Sequence, residues 1–240
     1  MPDTLHDKCV LLAGGAGGLG AATAAALSAE GTRLVVSFRE DEQRAARLSG
    51  IATLVKADLA VAADRARLLD AAPDLYGLVV FTGNPARVSG PALAEEPLRL
   101  SHEVNYLGPI LLAREAAARM KSAGMPGAVV LFSTMQAVEL FPGSTAYAGA
   151  KVALMHAARI LAKELRGPAN IRVNVIAPGV MQAGMAEASI AAGKYDRYLS
   201  EGVIPRFGLA ADIARAVRFL LEPDSYITGQ VLTVDGGLTL

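Results

Sequence analysis

The stretch CVLLAGGAGGLGAATAAAL, residues 9–27, decides the predicted fold, because a short apolar run is followed by a glycine-rich turn and an alanine-rich helical pattern. Gly14, Gly18 and Gly20 permit a tight turn and let a phosphate approach the backbone. The helix that follows offers free N–H groups and the positive end of its dipole. We therefore predict a nucleotide site here; the alternative is a glycine turn needed only for packing.

Outward from this stretch, apolar runs of strand length alternate with helical patterns. The predicted strands cover 9–14, 33–38, 52–58, 77–83, 128–134, 171–178 and 230–236, and the predicted helices cover 18–30, 40–48, 62–71, 97–123, 145–166 and 210–221. Runs of Val, Leu and Ile are typical of strands buried on both faces of a parallel sheet. We predict an α/β fold: a single doubly wound Rossmann-type domain over 1–240, with about seven parallel strands and helices on both faces.

Residues 180–209 lie between the sixth and seventh predicted strands and are longer than a connection requires. Long excursions at the carboxyl edge of such a sheet often cover a ligand. We expect a substrate lid within the domain; the alternative is a pair of helices that only covers the sheet.

Composition excludes several classes of function. The chain is 52% hydrophobic and 19% charged with zero formal net charge, so no basic surface for nucleic acid or an anionic membrane is expected. One cysteine cannot form an intramolecular disulfide, and no Cys/His cluster has metal-ligand spacing. The first residues lack the apolar segment of a signal peptide. We expect a cytoplasmic protein without a bound metal.

The segment SFRED, residues 37–41, predicts which nucleotide binds. An NAD site normally places an acidic residue at the end of the second strand, where Phe38 stands here, followed by Arg39. An arginine can bind a 2′-phosphate through charge-assisted hydrogen bonds. NADPH is therefore favoured over NADH. The alternative is that Arg39 is a solvated charge beside Glu40 and Asp41.

The segment STAYAGAKVALMH, residues 144–156, places Tyr147 and Lys151 four residues apart, on one face of a predicted helix. A phenol has an ordinary pKa of about 10, which makes it a poor acid–base catalyst near neutral pH. A neighbouring ammonium is expected to lower that pKa. An exposed Tyr/Lys pair without a role is the alternative.

Over its full length the chain resembles the short-chain dehydrogenase/reductase family, in particular 3-oxoacyl-[acyl-carrier-protein] reductases. The matching segments are AGGAGGLG (13–20), AD (57–58), VNYLG (104–108), YAGAK (147–151), VNVIAPG (173–179) and GQVLTVDGG (229–237). The resemblance implies an NADP-dependent enzyme that moves a hydride between nicotinamide and a carbonyl or secondary alcohol, 3-oxoacyl thioesters included. It also implies a homotetramer.

The resemblance assigns catalytic roles. Tyr147 would transfer the proton, Lys151 would also bind the nicotinamide ribose, and Asn105 would hold a relay water. Thr134 stands where the family has a serine that contacts the substrate oxygen, with Ser133 as the alternative. The implied cofactor-binding set is Gly14, Gly17, Gly18, Leu19, Gly20, Arg39, Asp58, Leu59, Gly83, Tyr147, Lys151, Pro178, Gly179 and Val180.

Three departures from the family pattern bear on cofactor affinity. The usual NNAG after strand four is VFTG at residues 80–83, Ala13 replaces a threonine, and Ala183 replaces the threonine that holds the carboxamide. These losses motivate a rival function, a non-catalytic dinucleotide sensor or scaffold, against which the intact Tyr147, Lys151 and Asn105 argue.

Overall fold

Seven parallel strands form one sheet in the computed structural model, which describes residues 4–85 and 95–240. The strands are β1 (Cys9–Ala13), β2 (Arg33–Phe38), β3 (Thr53–Lys56), β4 (Leu75–Val80), β5 (Gly127–Phe132), β6 (Ile171–Pro178) and β7 (Val231–Val234). Their order is β3-β2-β1-β4-β5-β6-β7, and every neighbouring pair is parallel. The predicted α/β fold with a seven-stranded parallel sheet is confirmed.

The described helices lie on both faces of the sheet. They are α1 (Gly18–Ala29), α2 (Glu42–Ala46), α3 (Ala62–Asp70), α4 (Glu95–His102), α5 (Gly108–Ser122), α6 (Thr145–Glu164), α7 (Glu187–Ala191), α8 (Asp196–Ser200) and α9 (Ala210–Leu221). None of the helices in the described ranges is long and apolar enough to cross a bilayer.

The core consists of two apolar layers, one on each face of the sheet. Alternate residues of a strand belong to different layers: Leu11 and Leu78 pack with α5 and α6, whereas Leu12 and Val79 pack with α1 and α9. Successive strand side chains point to opposite faces, and both faces are covered. This explains why β1 and β4 are apolar at nearly every position.

The predicted helix 97–123 is wrong as a single helix. A π-helical turn, Glu103–Leu107, separates α4 from α5. Pro109 has no N–H group, so the carbonyl of Asn105 lacks its α-helical donor four residues later. Single π turns inside α-helices are frequent at functional sites, and this one brings Asn105 beside the end of β4.

The topology places a crevice at the carboxyl edge of the sheet. The strand order reverses direction between β1 and β4, and in open α/β sheets ligands bind outside the carboxyl ends of the strands at such a point. The segment 180–209 begins after β6 and contains α7 and α8. It packs through a third, smaller apolar cluster of Met135, Val180, Ile204 and Phe207.

Candidate active site

A cavity of about 1340 Å³ lies along the carboxyl edge of the sheet. Typical small-molecule sites measure roughly 300–1,000 Å³, so this cavity has room for a dinucleotide and a second molecule. Its wall contains Thr134, Ser133 and every residue of the predicted cofactor-binding set: Gly14, Gly17, Gly18, Leu19, Gly20, Arg39, Asp58, Leu59, Gly83, Tyr147, Lys151, Pro178, Gly179 and Val180.

The glycine turn connects β1 to α1. Gly14 has φ +71°, a backbone conformation that disfavours any side chain. An added Cβ would also lie 2.8 Å from Cγ2 of Thr82, so both backbone strain and steric overlap favour glycine here. The amide of Gly14 donates to Oγ of Ser37 at 2.9 Å, which ties the turn to β2. Gly17 precedes α1 without a side-chain cap, and the first turn has no acidic residue. The positive end of α1 therefore faces the cavity with its N–H groups available to an anion.

Two arginines line the cavity near the end of β2. Arg39 lies 3.0 Å from Glu40, and Arg44 lies 3.3 Å from Asp41; all four side chains are more than half exposed. Exposed ion pairs of this kind are weak, so either guanidinium is free to exchange its partner for a phosphate. Arg44 was not predicted as a site residue. The signal that could have found it is a second arginine five residues after Arg39, within the predicted helix 40–48.

The loop after β3 holds the other predicted contacts to the nucleotide. Oδ1 of Asp58 accepts from the amide of Ala60 at 2.9 Å, so this carboxylate also fixes a turn. The carbonyl of Leu59 accepts from Arg65 at 2.8 Å, and Arg65, nearly fully buried, is paired with Glu115 of α5 at 3.0 Å. This loop is thus anchored to the helices behind it before any ligand binds.

Lys151 is 2% exposed and its Nζ points at two backbone carbonyls. It donates to Phe132 O at 2.8 Å and to Thr82 O at 3.1 Å, which joins α6 to the ends of β4 and β5. Burial penalises its charged form and lowers the pKa of Lys151 to about 7. The Lys151 side chain can therefore exchange a proton near neutral pH.

Tyr147 lies in the cavity with Thr134, whose side chain interacts with the phenol. Burial raises the pKa of Tyr147 to about 12, and the hydrogen bond to Thr134 opposes that rise only in part. The expected lowering of the phenol pKa by Lys151 is not seen in this structure, because burial is the largest cause and shifts the pKa of Tyr147 upward. The phenol is protonated at neutral pH.

The structure separates the two candidate hydroxyls. Oγ1 of Thr134 lies in the cavity and accepts weakly from the amide of Gln136 at 3.3 Å. Oγ of Ser133 instead donates to the carbonyl of Lys151 at 3.2 Å, within α6. Both residues follow the end of β5 and line the cavity, but their hydroxyls have different partners. Thr134 is the hydroxyl that meets Tyr147, and Ser133 supports the helix that carries Lys151.

Asn105 is fully buried and is the one predicted site residue outside the cavity wall of the described chain. Its Oδ1 accepts from Asn84 N at 2.8 Å, and its Nδ2 donates to Asn84 O at 2.9 Å and to Ser101 Oγ at 3.0 Å. The side chain thus holds the segment after β4 in place. The predicted relay water is not tested by these contacts.

The altered segment VFTG still forms part of the cavity wall. Thr82 supplies a carbonyl to Lys151, and its buried Oγ1 has no hydrogen-bond partner among residues 4–85 and 95–240. An added Cβ on Gly83 would lie 3.4 Å from Asn105 Oδ1 and 3.7 Å from Lys151 Nζ. The backbone of Asn84, which follows this segment, is hydrogen-bonded to the side chain of Asn105. The chain therefore keeps a formed site despite the lost asparagines.

These residues fit a nicotinamide dinucleotide. The glycine turn at the start of α1 suits a pyrophosphate, and the crowded Gly14 shows that the backbone itself forms this wall. Arg39 and Arg44 supply positive charge after β2. Tyr147 and Lys151 line the same cavity, and Lys151 contacts the end of β5. Such an arrangement is that of a dinucleotide-binding oxidoreductase.

Comparison with known proteins identifies the family. The model of the enoyl-(acyl carrier protein) reductase family matches residues 14–239. The 3-oxoacyl-[acyl-carrier-protein] reductase of Rattus norvegicus is 34% identical over 242 residues, 98% of this chain and 99% of its own. The 3beta-hydroxysteroid dehydrogenase 1 of Eggerthella lenta is 33% identical over 255 residues, 100% and 97% of the two chains. A short-chain type dehydrogenase/reductase from Mycobacterium ulcerans superposes with a TM-score of 0.90 at 27% identity, over 99% of this chain and 91% of its own.

The chain belongs to the short-chain dehydrogenase/reductase family. Members of this family bind an NAD(P) nucleotide and are oxidoreductases that act on alcohol or carbonyl groups. The predicted family and class of enzyme are confirmed.

Proposed function

We propose that this protein is an NADPH-dependent oxidoreductase that transfers a hydride between nicotinamide and a carbonyl or secondary alcohol. The observation that carries the proposal is that Tyr147, Thr134, Lys151 and the glycine turn all line one cavity. A proton donor, a second hydroxyl and a nucleotide site are the groups that carbonyl reduction requires.

The chain's own residues would handle the oxygen and its proton. The bound nicotinamide supplies or accepts the hydride. Thr134 orients the substrate oxygen toward Tyr147, whose phenol is protonated at neutral pH and gives its proton to that oxygen in the direction of reduction. Lys151, with a pKa of about 7, restores the proton to the phenolate. Asn105 keeps the segment after β4 against Lys151.

The test of this mechanism is Tyr147→Phe, which removes the proton donor and keeps the ring. Turnover of a ketone with NADPH should fall by roughly 10²–10⁴-fold, the usual contribution of a positioned acid, whereas NADPH binding should be retained. Tyr226→Phe is the matched control, because Tyr226 is fully exposed and outside the cavity. Unchanged turnover in Tyr147→Phe would refute the mechanism.

The preference for NADPH is supported by Arg39 and Arg44, which both line the cavity beside β2. Arg39→Ala and Arg44→Ala should weaken NADPH binding by about 3- to 30-fold and NADH binding by less than twofold, as expected for a charge-assisted hydrogen bond to a phosphate. Arg47→Ala is the control, because Arg47 lies outside the cavity. Fluorescence titration measures all four proteins. Equal losses for the two nucleotides would contradict the assignment.

A 3-oxoacyl thioester is the substrate we propose to test first. It is the substrate class in the name of the rat relative, and the full-length alignment to that protein supports it. The hydroxysteroid dehydrogenases supply the rival class. Oxidation of NADPH by acetoacetyl-CoA but not by 3-ketosteroids would support the thioester, and the opposite result would reject it.

We also propose that residues 180–209 act as a lid over the substrate, that the protein is a cytoplasmic homotetramer, and that 1–240 is one domain. The tetramer is supported by exposed apolar side chains on α6 and at the C-terminus, Val152, Ile160 and Leu240. The reduced compartment is supported by Cys9, a buried free thiol. Light scattering after size-exclusion chromatography tests the tetramer, and a monomer would refute it.

A further inference from the structure

We propose that the substrate carries an anionic group, which Lys194 and Arg197 of the 180–209 segment bind at the mouth of the cavity. This inference rests on the proposed function and adds the chemical class of the substrate. Neither residue is part of the catalytic or nucleotide-binding set, and both line the same cavity as Tyr147. Lys194 precedes α8 and Arg197 lies in its first turn.

The charge of the cavity wall is strongly one-sided. Asp58, beside β3, is the one acidic residue in the wall formed by the described chain. The part of the wall supplied by 133–147 and 178–198 contains the two cations Lys194 and Arg197 and no carboxylate. Clefts lined by one sign of charge attract ligands of the opposite sign. The phosphates of the proposed nucleotide account for Arg39 and Arg44, whereas Lys194 and Arg197 lie on the part of the wall supplied by the 180–209 segment.

Both cations are held without an acidic partner. Within residues 4–85 and 95–240, neither comes within 4 Å of a carboxylate oxygen, although Asp196 and Glu201 are near in sequence. Instead, Lys194 Nζ lies 5.5 Å from the ring centre of Tyr195, and Arg197 Cζ lies 4.9 Å from that of Tyr198. Contact with a ring face positions a cation. Nη2 of Arg197 also donates to the hydroxyl of Tyr198 at 3.3 Å, and the remaining N–H groups of the guanidinium can bind an anion.

The two tyrosines fix the cations to the cavity. Their rings stack at 6.3 Å and pack against the small apolar cluster under the segment, which includes Met135 and Val180. This cluster contributes the apolar side chains of Met135 and Val180 to the cavity wall. The arrangement suits a carbonyl compound in which an apolar segment joins the carbonyl to a carboxylate or a phosphate. Both anions share the chemistry that the guanidinium and the ammonium recognise.

Binding of simple probes tests the inference without turnover. Octanoate, octyl phosphate and octanamide have the same apolar chain and differ in charge at one end. Calorimetry would compare their affinities for the wild type, for Lys194→Gln/Arg197→Gln, and for the control Lys121→Gln/Arg166→Gln, which removes two exposed cations elsewhere. Each titration would be done with and without NADPH. Because the substituted residues are exposed, the variants should fold normally.

We expect at least one anionic probe to bind about three- to tenfold more tightly than octanamide, the sum of two part-exposed charge contacts. The site variant should lose this preference and the control should keep it. Preference for octyl phosphate would indicate a phosphate on the substrate, and preference for octanoate a carboxylate. Equal binding of the three probes, or a preference that survives in the site variant, would overturn the inference. Failure of the proposed function would appear separately, as absence of NADPH oxidation.

Discussion

Replacing the buried Lys151 by Met should change how the stability of the fold depends on pH. Burial lowers the pKa of Lys151 from 10.5 to about 7. Between these two values the unfolded chain holds a proton that the folded chain has lost, so stability rises with pH across that window. The destabilisation of the folded state by the buried charge of Lys151 is fully present below pH 7 and absent above pH 10.5. A chain with Met at this position has no such dependence.

The magnitude follows from the width of the window. One bound proton changes the free energy of unfolding by about 1.4 kcal/mol per pH unit, so the whole window corresponds to roughly 5 kcal/mol. Lys151→Met removes this burden but leaves the carbonyls of Thr82 and Phe132 without their donor, at a cost of about 1–3 kcal/mol each. The net change in the free energy of unfolding at a single pH therefore does not test the pKa of Lys151. The slope of that free energy against pH does.

Urea unfolding at pH 7, 8 and 9 and at one protein concentration measures that slope. The stability of Lys151→Met relative to the wild type should decrease by about 1.4 kcal/mol for each pH unit. Lys121→Met, an exposed substitution on α5, should run parallel to the wild type. Parallel curves for Lys151→Met and the wild type would refute the perturbed pKa and with it the role of Lys151 as a proton donor near neutral pH.

Three further substitutions have expected outcomes. Thr134→Val should lower kcat at least tenfold in a ketone-reduction assay, because it removes the hydroxyl that lies with Tyr147 in the cavity and would orient the substrate oxygen; an unchanged kcat would exclude that role. Asp212→Asn should destabilise the fold by about 1–2 kcal/mol at neutral pH, because Arg206 and the amide of Leu209 lower the pKa of this carboxyl to about 2. That contribution is present above about pH 4 and is lost as the pH falls toward 2, so urea midpoints that differ equally at pH 3 and pH 7 would contradict it. Gly14→Ala should lower the melting temperature by several degrees and weaken NADPH binding, because φ is +71° there; wild-type values for both would show that the turn tolerates a side chain.

The sequence was sufficient for the sheet because strand formation there depends on local pattern. Each predicted strand exists, and the ends differ by a few residues. The start of β4 is at Leu75 rather than at residue 77, because Gly77 looks like a boundary but is a buried strand position packed against Val10 and Leu221. The interruption of the helix near Asn105 has a sequence signal in Pro109, although the predicted helix 97–123 runs through it.

The sequence by itself determined the order of elements, the glycine turn and the i, i+4 placement of Tyr147 and Lys151, since all three depend on neighbours along the chain. Only the tertiary structure decided which hydroxyl is available to Tyr147, because Ser133 and Thr134 are adjacent in sequence and differ only in the partners that the fold gives their hydroxyls. It also decided the pKa values of the pair, which depend on desolvation by distant segments. The cations of the 180–209 segment carry no sequence signal of their own. Their meaning comes from the cavity they line, which strands and loops far apart in the chain build together.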